Sequence, residues 1–246
     1  MSTYTISIQG EPGLNGVQGI SGVSGVNSAA DNTGQPGKKG TKNWLGGCDK
    51  CATSGTTGAH AVSGGDRGEP AGRGGLAPSF TLTLYELHVP DGKPLSILSQ
   101  GGVGGTGGTG GTGGNGDTGG NAGINYEKCI NNGTCQPAVG GNGGDGAVGG
   151  VGGPAGDGGA GGSITIYCPA NVQSLIMALS SGGEAGKAGE GGQGGKGGDG
   201  GANEPLPNQS TPTYAPPGQP GGQGAGGSAG SPGARGTVTF FTLNSR

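Results

Sequence analysis

Apolar and polar residues alternate in four short places along this chain. Tyr4, Ile6 and Ile8 alternate with Thr5 and Ser7, and Phe80, Leu82 and Leu84 with Thr81 and Thr83. Ile164 and Ile166 flank Thr165, and Val238 and Phe240 flank Thr239. Period two with β-branched partners predicts half-buried β-strands. Two further apolar segments, 95–98 and 175–179, lead directly into glycine runs. Between these islands the period changes to three. Gly10, Gly13, Gly16, Gly19, Gly22 and Gly25 keep that spacing unbroken, as do Gly101, Gly104, Gly107, Gly110, Gly113, Gly116 and Gly119. The same phase holds over 140–152, 183–201 and 218–236, with looser triplets over 55–74. Random low-complexity sequence would lose such a phase within a few turns.

Three residues per turn is the period of the polyproline-II helix, so a run such as 101–123 would make a rod roughly 70 Å long. Glycine at every third position lets two such backbones approach. In 101–123 two of every three positions are glycine, so two faces can be approached. Backbone N–H···O and Cα–H···O bonds then replace a side-chain core. The chain reads as one motif used three times, over 1–90, 91–170 and 171–246: strand, rod, loop, rod, strand. Pro90-Asp91-Gly92 and Pro169-Ala170-Asn171 between copies are tight-turn chemistry. The predicted fold is a glycine-rich polyproline-II (polyglycine-II) helix bundle, co-folded as one domain. It has about six antiparallel rods in three repeats, a small β-strand base and essentially no α-helix. Loops 26–54, 124–139 and 202–217 form its tip. The first and last strands, 4–8 and 238–243, lack a turn-linked partner and are expected to pair with each other.

Composition agrees with a lattice rather than a core. Glycine supplies 70 of 246 residues, hydrophobic residues 28% and aromatics 4%. Such a chain cannot bury enough apolar side chain to offset backbone entropy of roughly 1–2 kcal/mol per residue. Collagen is the nearest rival, and Glu11-Pro12-Gly13-Leu14-Asn15-Gly16 suits it. The runs, however, are short, interrupted, poor in proline and over-rich in glycine. A net charge of −3 leaves no broad basic surface, so nucleic acid is not an expected partner. The opening residues lack a basic and an apolar region, and no apolar run approaches the roughly 20 residues of a membrane span. Neither a Sec signal peptide nor membrane insertion is expected.

The Gly-Gly-Xaa periodicity resembles that of polyglycine-II proteins, found in springtail antifreeze proteins and in the receptor-binding adhesins of T-even-like phage tail fibres. The resemblance covers the triplet runs, about half of the chain. It implies an antiparallel bundle of threefold helices.

Candidate chemistry is sparse. His60 and His88 stand in different segments, neither beside a pattern of nucleophile and carboxylate, and no Gly-Lys pair precedes Ser or Thr. No enzyme activity and no cofactor are expected. Glu184, Glu190 and Asp199 alternate with Lys187 and Lys196 as a solvated rod edge. The cysteines say more. Cys48 and Cys51 form Cys-x-x-Cys in the first tip, Cys129 and Cys135 lie in the second, and Cys168 is alone at a strand end. A Cys129–Cys135 disulfide is the leading reading, since loops without a core gain most from staples. A four-cysteine zinc site of Cys48, Cys51, Cys129 and Cys135 and a set of free thiols are the alternatives. Cys168 reads as a small buried hydrophobe.

The tips also gather scarce aromatic rings: Trp44 near Lys38, Lys39 and Lys42, then Tyr126, then Tyr214. Such rings cap a bundle end or serve as contact anchors. In the first rod Leu14, Val17, Ile20, Val23 and Val26 share one phase of the triplet, an apolar stripe suited to self-association. Thr106, Thr109 and Thr112 repeat on one edge of another rod, a ladder that suits ice binding or simple solubility. The expected function is that of a non-enzymatic structural or adhesive protein. It would be a fibre, filament or virion-surface component outside the cell that self-associates and offers its tip loops to a surface receptor or glycan. Ice binding is the alternative.

Overall fold

The computed structural model describes residues 6–13, 34–89, 93–206, 209 and 211–243. Its strands are β1 (Ile6–Gln9), β2 (Thr41–Lys42), β3 (Cys48–Lys50), β4 (Phe80–Thr83), β5 (Leu95–Gln100), β6 (Ile164–Cys168), β7 (Ile176–Ser181) and β8 (Val238–Thr242). Two one-turn helices join them, α1 (Glu127–Asn131) and α2 (Ala170–Gln173). The strands that open each repeat form one parallel sheet, in the order β1-β5-β7. Those that close each repeat form a second, β4-β6-β8. The alternating apolar residues turn inward. Ile97, Ile164, Ile166, Cys168, Val172 and Ile176 form a buried cluster, with Ile6, Phe80, Leu82, Val238 and Phe240 packed around it.

The expected pairing of the first strand with the last does not occur. Ile6–Gln9 lies beside β5, and Val238–Thr242 lies beside β6 in the other sheet. Each repeat lays its strands in parallel register beside those of the preceding one. The two terminal strands therefore finish on edges of different sheets.

Both sheets continue into layers of glycine-rich backbone. Beyond β1, β5 and β7 run the first segment (10–13 and 34–40), the third (101–123) and the fifth (182–202). Gly13 N–H donates to Val103 O (2.8 Å) and Gly104 N–H to Glu184 O (2.9 Å), and the bonds recur every third residue. The second segment (53–77), the fourth (139–162) and the sixth (215–236) lead into β4, β6 and β8 with the same ladder. There Gly74 N–H donates to Asp157 O and Gly158 N–H to Ser231 O. Within a layer all segments run the same way. Across layers they run oppositely, as Gly105 N–H to Gly72 O and Gly156 N–H to Gly105 O show.

Glycine density follows the number of neighbours. The third segment bonds to the first, second, fourth and fifth, and it carries two glycines per triplet. Among the described residues the sixth bonds only to the fourth and fifth, and one per triplet is its rule. The close approach is physical: a Cβ on Gly101 would overlap the Gly159 carbonyl, and one on Gly102 the Glu11 carbonyl. The remaining triplet position points outward, and polar side chains there do structural work. Asn115 Oδ1 accepts from Lys196 N–H and Asn121 Oδ1 from Ala202 N–H, both at 2.8 Å. Asp145 and Asp157 do the same for Gln219 N–H and Ser231 N–H at 2.7 Å. Outward N–H groups that a bare glycine ladder leaves to water are thereby tied across segments.

The two layers end differently on their open side. Extending the register, outward donation from the sixth segment would fall to positions 217, 220, 223, 226, 229, 232 and 235. Pro217, Pro220 and Pro232 have no N–H to give. In the fifth segment the equivalent donors are Ala185, Ala188, Gly191, Gly194 and Gly197, whose N–H groups have no partner among the described residues.

Gly110→Ala places a methyl against the Gly150 carbonyl, and neither backbone has room to move without breaking its ladder. A loss of about 1–3 kcal/mol or more is expected, against a change within about 0.5 kcal/mol for exposed Thr109→Ala. Denaturant unfolding of both variants measures the contrast. Equal stabilities would disprove the close packing of this segment.

Candidate functional site

At the end opposite the strand base, the three loops are tied together covalently and by hydrogen bonds. In the first, β2 and β3 form a short antiparallel hairpin with Thr41 opposite Lys50. Its turn is held by Asn43. The Asn43 N–H donates to Gly47 O (2.9 Å), and Gly46 N–H returns to Asn43 O (3.0 Å). Asn43 Oδ1 accepts from Leu45 N–H and Gly47 N–H at 3.1 and 2.8 Å. Gly46 has φ of 76°, which favours a residue without Cβ at this turn. Trp44 and Leu45 stand at the apex, 91% and 73% exposed. Trp44 therefore does not cap the bundle.

The expected Cys129–Cys135 disulfide does not form. Cys48 pairs with Cys129 and Cys51 with Cys135, so both bridges cross from the first loop to the second. The physical reason lies in α1 and the turn after it, where Cys135 N–H donates to Cys129 O. That turn aims both sulfurs at the hairpin, whose two cysteines are spaced to meet them. The zinc alternative named the same four residues, but their sulfurs are consumed as disulfides. Among the described residues no group of His, Cys, Asp and Glu is placed to hold a metal. Cys168 is fully buried in the strand base, and burial pushes its thiol pKa up, as suits an inert core residue.

Two side chains that the sequence did not single out complete the assembly. Asn125 Oδ1 accepts from Ala52 N–H (2.7 Å) in the first loop. The buried carboxylate of Glu204, in the third loop, accepts from Asn125 N–H, from Asn125 Nδ2 (2.7 Å) and from Ala138 N–H (2.8 Å). An anion with several donors is satisfied without a counter-ion. Its signal in the sequence was faint: a single Glu in a loop otherwise rich in proline, asparagine and threonine.

Of the predicted contact residues, Lys42 and Tyr126 come together, the ammonium 4.7 Å from the ring centre. Lys38 and Lys39 are exposed just before β2. Tyr214 stands apart, exposed beside the ends of the third and fifth segments, where it bridges to Ala202. Thr106, Thr109 and Thr112 are all exposed on the outward row of the third segment. The stripe of Leu14, Val17, Ile20, Val23 and Val26 lies outside the described residues.

No family model matches the chain, and no curated protein matches it, so neither supplies a likeness to phage tail-fibre adhesins. Among solved structures it is similar to the springtail antifreeze protein of Granisotoma rainieri, described as a nine polyproline type II helical bundle. The likeness spans 98% of this chain and 100% of that one at 22% identity, with a TM-score of 0.13. At that score the two folds do not superpose.

The two bridges close loops with sequence separations of 81 and 84, long enough for each to contribute about 2–4 kcal/mol. Peptide mapping of the unreduced protein is expected to recover Cys48 linked to Cys129 and Cys51 linked to Cys135. A fragment linking Cys129 to Cys135 would overturn this arrangement.

Proposed function

We propose that this chain is a non-enzymatic structural or adhesive protein whose glycine segments are polyglycine-II rods. In this reading the bundle self-associates as a fibre, filament or virion-surface component and presents its tip to a binding partner. The observation that carries the proposal is the division of labour between ladder and loops. Backbone hydrogen bonds recurring every third residue hold the segments, which frees scarce large side chains for the tip. The threefold recurrence and the glycine contacts are what polyproline-II geometry requires. Donors along the fifth segment that have no partner among the described residues offer an edge to a second molecule, and three of the seven equivalent positions in the sixth are prolines that narrow its edge. Two disulfides suit an oxidising setting outside the cell. The glycine-rich adhesins of T-even-like phage tail fibres illustrate such a use.

The apolar stripe remains the expected driver of self-association, with roughly 1.5–3 kcal/mol available for each aliphatic side chain buried. Sedimentation of the wild type is expected to show oligomers. Val17→Asp with Ile20→Asp is expected to give folded protein shifted towards monomer. A wild type that is monomeric at every concentration would refute the self-association.

A second reading has its own observation. The outward row of Thr106, Thr109 and Thr112 is exposed along the third segment, with a repeat of about 9.3 Å in polyproline-II geometry. Its neighbour row of Glu184, Lys187 and Glu190 is charged, which disfavours an ordered ice-like water layer and places this reading second. The first reading expects no thermal hysteresis. Hysteresis abolished by changing the three threonines to lysine would establish ice binding instead.

A further inference from the structure

We propose that the first tip docks on an anionic lipid surface, with Trp44 and Leu45 entering the headgroup region and a lysine collar meeting the lipid charge. The inference rests on reading the tip as the binding end of the molecule and names the chemistry of its partner.

The apex is built to stay out. Asn43 holds the turn through its backbone and its side-chain oxygen, and the two apolar side chains stand clear of the hairpin. Their exposure, 91% and 73%, is costly in water and is relieved by a membrane interface, where tryptophan is the favoured residue. Behind the apex stand Lys42 and Lys50 on the hairpin, Lys38 and Lys39 just before it, and Lys128 on α1, all exposed. The Cys48–Cys129 bridge fixes Lys128 beside the hairpin. These five lysines come from only 12 Lys and Arg in a chain of net charge −3, so positive charge is concentrated at this end. The acidic residues beside them are Asp49, engaged with the Thr41 hydroxyl at 3.0 Å, and Glu127. Lysines beside an exposed apolar pair are the pattern that binds anionic membranes without spanning them.

A glycan is the other anionic surface to weigh. Trp44 could stack on a sugar ring, but a neighbouring Leu45 so exposed offers a sugar little, whereas both side chains gain in lipid. The expectation of no membrane insertion came from the lack of a long apolar run, and two side chains on a convex turn are a different kind of contact.

The test uses the full-length oxidised protein and vesicles of phosphatidylcholine containing about one-fifth phosphatidylserine, against pure phosphatidylcholine, at low and high salt. Flotation with the anionic vesicles and release by salt are expected, because lysines near such a surface are attracted to the lipid charge and salt screens that attraction. Trp44 is the chain's single tryptophan, so a blue shift of its emission on binding reports the apex directly. Trp44→Ser with Leu45→Ser, and separately Lys39→Glu with Lys50→Glu, should each weaken binding by roughly tenfold or more while leaving the melting curve unchanged. No flotation, or flotation indifferent to both variants, would overturn the proposal. Binding to a sulfated polysaccharide but not to vesicles would assign the tip to a glycan, overturning the lipid partner while keeping the tip as the binding end. Binding to neither would count against both.

Discussion

Everything in this molecule depends on one interaction, the hydrogen bond that a backbone N–H makes every third residue to a carbonyl of a neighbouring segment. Each bond is individually modest, about 0.5–1.5 kcal/mol net. Their number and their shared register hold together a chain with little apolar side chain to bury. The bond also dictates composition. Segments can donate and accept at this spacing only if their backbones nearly touch, and they can do so only where a Cβ is missing. The glycine count is thus a consequence of the ladder, and the glycine pattern records how many neighbours each segment has.

A ladder of identical rungs has a weakness: nothing in it distinguishes one register from another three residues away. Three features outside the ladder supply the missing information. The strand base sets the zero, because Ile97, Ile164, Ile166 and Ile176 reach a common interior only in one alignment. Asn115, Asn121, Asp145 and Asp157 tie segments together along the length, and a shift of three in one direction would set Pro205 opposite Asn121 or Pro216 opposite Asp145, neither of which has an N–H to give. The disulfides and the Asn125–Glu204 contacts close the far end. The segments between can then be nearly featureless.

How much of this was legible beforehand follows from which features are periodic. The strands and the glycine segments were readable because periods of two and three survive in a single sequence. Pairing between strands was not, because Ile6 suits a neighbour in β5 as well as one in β8, and only the parallel translation of whole repeats decides between them. The cysteines illustrate the same limit. Proximity in sequence favoured Cys129 with Cys135, yet α1 and the turn after it direct both towards the hairpin, and no local pattern records that direction. Glu204 was missed because a buried carboxylate satisfied by backbone donors has no sequence signature of its own.

The same economy explains where function can reside. A segment in the middle of a layer has two of its three triplet positions pressed against neighbours, so its whole chemical vocabulary is one outward residue per turn. The tip has no such constraint: its backbone is held by two disulfides and needs glycine only at turns such as Gly46 and Gly133, so its other side chains are free to be large or charged. That Trp44, Leu45 and a cluster of lysines occur there, in a chain otherwise short of such residues, follows if the ladder's task is to hold this one end away from the strand base and in a fixed orientation. A support held along its length mainly by backbone bonds confines its side-chain chemistry to the strand base, the outward row and the tip.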